Sequence, residues 1–159
     1  MRIVVTGSAG RIGSAIVRHL SLAHAVVGID LAASATTHQV GDFRDRALAA
    51  RALAGAEALV HTASLHAPHV GARADSEFRA VNVAGTEALL QCALEAGIRR
   101  VVYTSTTSVY GHALASPVAA TWITESLAPQ PRDIYDETKL AAEAVCRRFA
   151  ATGALSIVS

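Results

Sequence analysis

A five-residue strand-like run, Arg2-Ile3-Val4-Val5-Thr6, breaks directly into Gly7-x-x-Gly10-x-x-Gly13, and apolar residues at Ile12, Ile16, Val17 and Leu20 follow at helical spacing. A strand that turns through three glycines into a helix has few architectures open to it. The first glycine permits a tight turn, the second lets the backbone approach a pyrophosphate, and the third lets helix pack closely on strand. The helix N-terminus then offers unpaired N–H groups to anionic oxygens. Three glycines alone are equally compatible with a plain tight turn, so the residue that ends the next strand decides. It is Asp30, 23 positions after Gly7, where a carboxylate can accept from a ribose diol and repel a 2′-phosphate. No Lys or Arg occurs from Leu31 to Gln39 to neutralise such a phosphate, which favours NAD over NADP.

Short Val- and Ile-rich runs alternate with longer segments of helical period along the rest of the chain. Strands are predicted at Arg2 to Thr6, Ala25 to Asp30, His38 to Val40, Ala58 to Thr62, Arg100 to Thr104 and Leu155 to Ser159. Helices are predicted near Arg11 to Leu20, Arg44 to Ala54, Asp75 to Ala96 and Ile134 to Thr152. The fold class is therefore α/β, a Rossmann-type doubly wound parallel sheet, with residues 1–159 as one dinucleotide-binding domain. Hydrophobic residues make up 52% of the chain, charged residues 17% and aromatics 4%, which predicts a globular, aliphatic core. A formal charge of +1 gives no field that would gather nucleic acid or an anionic membrane surface. The chain opens on a strand and holds no 18-residue apolar span, so a soluble cytoplasmic protein is expected. Cys92 and Cys146 stand in apolar helical contexts and are expected to be buried free thiols.

Tyr135 and Lys139 lie four residues apart in a predicted helix, which puts a phenol and an ammonium on one face. A free tyrosine, with a pKa near ~10, is a poor base at neutral pH. An ammonium about 4 Å away, at an effective dielectric of about 20, favours the phenolate by at most ~4 kcal/mol before desolvation opposes it. Upstream, Thr104-Ser105-Thr106-Thr107-Ser108 follows a buried strand, at the sheet end where open α/β folds hold ligands. One of these hydroxyls can bond a substrate oxygen, while the others satisfy local backbone. The stretch from Gly111 to Asp133, with Pro117, Pro129 and Pro131, is predicted to be a long loop.

Taken in order, these elements resemble the extended short-chain dehydrogenase/reductases, specifically the NAD-dependent epimerase/dehydratase group. The resemblance rests on Thr6-Gly-x-x-Gly-x-x-Gly13, Asp30, Gly41-Asp42-Phe43, His61-Thr62-Ala63-Ser64, Asn82-Val83-Ala84-Gly85-Thr86, Ser105 to Gly111, and Tyr135 to Lys139. It implies an NAD site formed by Gly7, Gly10, Arg11, Ile12, Gly13 and Asp30. It further implies that Asp42 bonds the adenine amino group, that Phe43 lies beside the ring, and that Thr62, Ala63 and Ser64 approach the middle of the cofactor. Asn82 would help position the nicotinamide side. Thr106 takes the place of the family's catalytic serine or threonine, with Ser105 as the alternative; Tyr135 that of the base; and Lys139 that of the residue holding the nicotinamide ribose.

The implied reaction oxidises a sugar or nucleotide-sugar hydroxyl, leaving epimerase, dehydratase and dehydrogenase outcomes open. Members of this group are longer, and the chain is expected to lack most of their C-terminal substrate domain. A truncated, non-catalytic dinucleotide-binding module is therefore the alternative. A homodimer through the helices at 75–96 and 134–152 is also implied, and Ala88, Leu89, Cys92 and Ala93, with Val81 below, form an apolar stripe on the first. His61, His66 and His69 are not expected to bind metal: His61 lies on a strand, and the others flank Pro68 in a polar loop. Arg147 and Arg148 are expected on a solvated helix face.

Overall fold

The structure, a computed structural model, describes residues 1–114 and 122–159. Six parallel strands are ordered β3-β2-β1-β4-β5-β6: β1 (Arg2–Thr6), β2 (Ala25–Asp30), β3 (Gln39–Val40), β4 (Ala58–His61), β5 (Arg100–Tyr103) and β6 (Ser156–Val158). Strand order reverses between β1 and β4, so the chain leaves the sheet centre first one way and then the other.

Alternation along the strands assigns the two faces. Val4 and Ile29, with Leu59 and Val101, pack under α2 (Arg46–Leu53), α4 (Gly85–Glu95) and α5 (Ile134–Ala151), through Leu53, Leu89, Leu90, Ala93 and Val145. Ile3, Val5, Val26 and Val60 point the other way and meet Val17 of α1 (Arg11–Leu20). Strands buried on both faces must be apolar at successive positions, as β1 is. The single helix α1 leaves the far end of its face uncovered: Val102 is 47% exposed and Val158 64%.

The structure departs from the predicted elements at three places. The second helix starts at Arg46 because the Asp45 carboxylate accepts from the N–H groups of Ala47 and Leu48, making Asp45 the cap. The predicted helix over Asp75 to Ala96 is three joined pieces: α3 (Asp75–Phe78), a π-helical stretch over Arg79–Ala84, and α4. The widened turn carries Asn82 inward, where it is 1% exposed. The Gly111 to Asp133 loop begins with 3₁₀ turns over Thr107–Leu114; Pro117 lies outside the described residues.

Cys92 and Cys146 are buried free thiols, as expected. The stripe expected at a dimer surface is mostly core: Leu89, Cys92 and Ala93 are buried within the chain, and Ala88 alone of the four is exposed. No helix among the described residues is long and apolar enough to cross a membrane.

Candidate functional site

The carboxyl ends of β1, β2, β4 and β5 open onto one cleft of about 1170 Å³ at the point where strand order reverses. Gly7, Gly10, Arg11, Ile12 and Gly13 line its floor. Gly7 has φ +73, and a Cβ there would sit 2.6 Å from Thr62 Oγ1 and 2.7 Å from Ala63 N. A Cβ on Gly13 would sit 2.0 Å from Gly7 O, so turn and helix meet with no room for a side chain. Gly10 differs: its Cβ would meet only Gly7 O, at 3.2 Å, and otherwise face open cleft. A space that bare backbone borders at a helix N-terminus suits a pyrophosphate.

Asp30 lines the same cleft, its carboxylate fixed by two backbone donors, Ala9 N to Oδ2 and Ala32 N to Oδ1, both at 2.9 Å. The acid therefore ties the glycine turn to the end of β2, and each oxygen keeps a lone-pair direction for a diol. Asp42 also lines the cleft, but its carboxylate is paired to Arg44, with Nη2 2.6 Å from Oδ2 and Nε 3.0 Å from each oxygen. The Arg44 guanidinium holds the Asp42 carboxyl below its ordinary pKa. Phe43 edges the cleft and packs on the His61 ring, centroids 5.0 Å apart.

Thr62, Ala63 and Ser64 form the central wall, the Thr62 hydroxyl donating to Thr6 O at 2.7 Å. Behind them, His61 Nδ1 pairs with Thr6 Oγ1 at 2.6 Å and Nε2 with Thr86 Oγ1 at 3.0 Å. Burial pushes the imidazole pKa down to about 3, so it is neutral at physiological pH. Among the described residues no group of three or more His, Cys, Asp or Glu is placed to hold a metal ion.

Asn82 does not line the cleft. Its amide donates to Leu65 O at 2.9 Å and Thr138 Oγ1 at 3.0 Å, and its carbonyl oxygen accepts from Leu65 N at 2.8 Å. It fastens the wall at Leu65 to α5 from behind rather than presenting polar atoms to the cleft.

Thr106, Tyr135 and Lys139 converge on the opposite end. Lys139 is 3% exposed; its ammonium donates to Thr104 O at 2.6 Å and lies 4.2 Å from the Tyr103 ring centroid. Burial pulls its pKa down to about 8, while the carbonyl and the ring face keep the cation tenable. Ser105 and Thr106 divide their duties. The Ser105 hydroxyl bonds the Glu143 carboxylate, whereas among the described residues Thr106 Oγ1 pairs with Ser108 Oγ, 2.9 Å away, and accepts from the Ser108 N–H.

Several cleft residues are not evident from sequence patterns. Arg44 follows Asp42 by two positions, the spacing at which a side chain folds back on its neighbour. Leu65, His66, Pro68 and His69 complete the rim, with the His66 N–H donating to His69 Nδ1 at 3.0 Å. The segment expected to be a polar loop is a 3₁₀ turn over Ala67–His69 capped at His66, and it borders the cleft.

Known proteins share this arrangement. A 3 beta-hydroxysteroid dehydrogenase/Delta 5-->4-isomerase of Mycobacterium tuberculosis is 36% identical over 155 residues, covering 89% of this chain and 41% of the relative. A short-chain dehydrogenase/reductase superfamily protein from Agrobacterium tumefaciens, crystallised with bound NAD, superposes with TM-score 0.86 at 34% identity, over 99% of this chain and 48% of that one. DesIV, the dTDP-glucose 4,6-dehydratase of Streptomyces venezuelae with NAD and TYD bound, gives TM-score 0.84 at 35% identity, over 99% of this chain and 54% of its own. The chain thus spans about half the length of the proteins it matches. With a match over residues 3–159, it belongs to the NAD dependent epimerase/dehydratase family.

Proposed function

We propose that residues 1–159 form the NAD-binding and proton-transfer portion of a cytoplasmic oxidoreductase that acts on a hydroxyl of a sugar or nucleotide sugar. The observation that carries this reading is a single cleft bordered at one end by the glycine turn and Asp30, and at the other by Thr106, Tyr135 and Lys139. The bare-backbone floor and the pre-oriented Asp30 carboxylate fit a dinucleotide with a free ribose diol.

NAD, when bound, accepts the carbon-bound hydrogen as hydride. Tyr135 takes the hydroxyl proton as general base. Lys139 supplies positive charge one helical turn from that phenol and bonds the nicotinamide ribose. Thr106 donates to the substrate oxygen; the engagement of Ser105 with Glu143 supports Thr106 over its neighbour in this role. Asp42 and Phe43 border the adenine end, and Thr62 to Ser64 the middle. Oxidation of a sugar hydroxyl makes its carbon a planar ketone, so hydride returned to the opposite face inverts that centre, while the acidified adjacent C–H is what loss of water requires. The dTDP-glucose dehydratase among the solved relatives supports the substrate class.

A second reading is a dinucleotide-binding module without turnover. Calorimetric titration with NAD and with NADP, followed by assay of NAD reduction with sugars and nucleotide sugars, separates the two. Saturable NAD binding with NADP weaker by about tenfold or more supports the cofactor assignment. Turnover that Tyr135→Phe abolishes supports the enzyme, binding without turnover supports the module, and no binding of either dinucleotide removes both. The homodimer belongs to the same proposal, through the exposed sides of α4 and α5; a one-chain mass independent of concentration would remove it.

A further inference from the structure

Tyr135, Lys139, Glu143 and Arg147 stand at successive four-residue intervals along α5, so their side chains form one stripe of the helix. The first two belong to the proposed reaction, and the other two are not used by it. Glu143 is 19% exposed in its side chain, and both its oxygens are engaged: Oε1 accepts the Ser105 hydroxyl, and Oε2 lies 3.3 Å from Arg147 Nη1. Ser105 directly follows Thr104, whose carbonyl oxygen accepts from Lys139 Nζ at 2.6 Å. Two consecutive residues at the end of β5 are therefore bonded to two side chains one turn apart on α5. The next residue is Thr106, where the loop borders the cleft.

We propose that Glu143 is a positioning residue for the proton-transfer site: by accepting the Ser105 hydroxyl it holds the loop that carries Thr106 in register with Tyr135 and Lys139. This rests on the function proposed above. A hydroxyl that must meet a substrate oxygen has a tolerance of about 0.5 Å; Thr104 is fixed by its N–H to His61 O at 3.0 Å and by Lys139, and the loop beyond it is free to pivot there unless a second contact lies further on. The second contact removes that pivot. It also turns the Ser105 hydroxyl away from competition with Thr106.

The carboxylate has a second effect through its charge. The groups facing it are Lys139, Cys146 and Arg147 of α5 and Tyr103 of β5, with His61 of β4 beyond Lys139. Burial keeps Tyr103 and Cys146 protonated and His61 neutral, so Lys139 and Arg147 are its charged neighbours at neutral pH. Arg147 is 63% exposed and screened, whereas Lys139 is buried: burial is the larger influence and lowers its pKa, and the Glu143 carboxylate acts in the raising direction. Glu143 thus opposes the desolvation that draws the proton off Lys139.

Two variants of the full chain separate tether from charge. Ser105→Ala removes the tether and keeps the carboxylate; Glu143→Gln keeps the shape and an acceptor oxygen and removes the charge. Cooperative thermal unfolding is checked first for each. Amide hydrogen exchange at Thr106 and Thr107 is expected to speed up about fivefold or more in Ser105→Ala, the loss of one hydrogen bond. NAD affinity, followed by calorimetry from pH 6.5 to 9.5, is expected to fall on the alkaline side as Lys139 loses its proton. That fall is expected to move about one pH unit lower in Glu143→Gln and to stay in place in Ser105→Ala. Unchanged exchange in Ser105→Ala would overturn the proposal, and an unmoved alkaline limb in Glu143→Gln would overturn the effect of the charge. A wild-type chain that binds no NAD at any pH would instead overturn the proposed function, and exchange at Thr106 would still decide the tether.

Discussion

The Asn82 carboxamide makes a reciprocal pair with the Leu65 backbone, donating to its carbonyl at 2.9 Å and accepting from its N–H at 2.8 Å. A loop residue that borders the cleft is thereby held as if by a neighbouring strand. Asn82→Ala strands the Leu65 amide and carbonyl, each at a cost of about 1–3 kcal/mol when buried, while the Thr138 hydroxyl keeps its bond to Ile134 O. The variant is expected to lose about 3 kcal/mol or more in urea unfolding and to bind NAD more weakly. A loss under about 1 kcal/mol would mean that water replaces the amide without penalty.

Stability is expected to decline on the acid side through His61. Its folded pKa of about 3 lies below the ordinary imidazole value of 6.5, so between these values the unfolded chain binds a proton that the folded chain refuses. Stability from this group is complete above about pH 6.5 and falls by up to about 1.4 kcal/mol per pH unit as pH drops towards 3. His61→Gln lacks that dependence. The gap in unfolding free energy between wild type and variant should therefore be widest near pH 7 and narrow towards pH 4; a constant gap would contradict the buried neutral imidazole.

The second and third glycines of the turn should respond differently to the same added methyl group. Gly13→Ala forces a Cβ to within 2.0 Å of Gly7 O and is expected to unfold the turn and lower the thermal midpoint sharply. Gly10→Ala meets only Gly7 O, at 3.2 Å, so stability should stay within about 1 kcal/mol while NAD affinity drops, because the methyl occupies the approach to the pyrophosphate. Equal loss of stability in both would refute the division of roles.

Asp30→Asn keeps an acceptor for Ala9 N but removes the charge. NAD binding is expected to weaken about 10- to 100-fold, the worth of a charge-assisted hydrogen bond, and NADP to lose much less. Calorimetric titration of wild type and variant with both dinucleotides measures the change in ratio. An unaltered ratio would assign selectivity elsewhere on the cleft.

The legible parts of this chain were those that local chemistry dictates. β1, α1 and β2 match their predicted bounds residue for residue, because an apolar run, a glycine turn and a terminal acid each act over a few neighbouring positions. Lys139 and Tyr135 were legible by helical spacing. The π-helical turn was not, since it answers to Leu65 and Thr138, 17 and 56 positions from Asn82. Nor was the pairing of Asp42 with Arg44, which arises where the chain kinks before the Asp45 cap. Glu143 reads in sequence as an ordinary helix-face charge, and its partner Ser105 lies 38 positions away.

The reversal of strand order at β1 has a thermodynamic consequence. One side of the cleft comes from β1, β2 and the Gly41–Arg44 segment, the other from β4, β5 and α5, so the complete cleft exists only when both halves of the sheet are folded together. A ligand seated there is linked to the whole folding equilibrium: occupancy at 100 times the dissociation constant adds about 2.7 kcal/mol to the global unfolding free energy. Cofactor supply and lifetime of the folded chain are in that sense one variable.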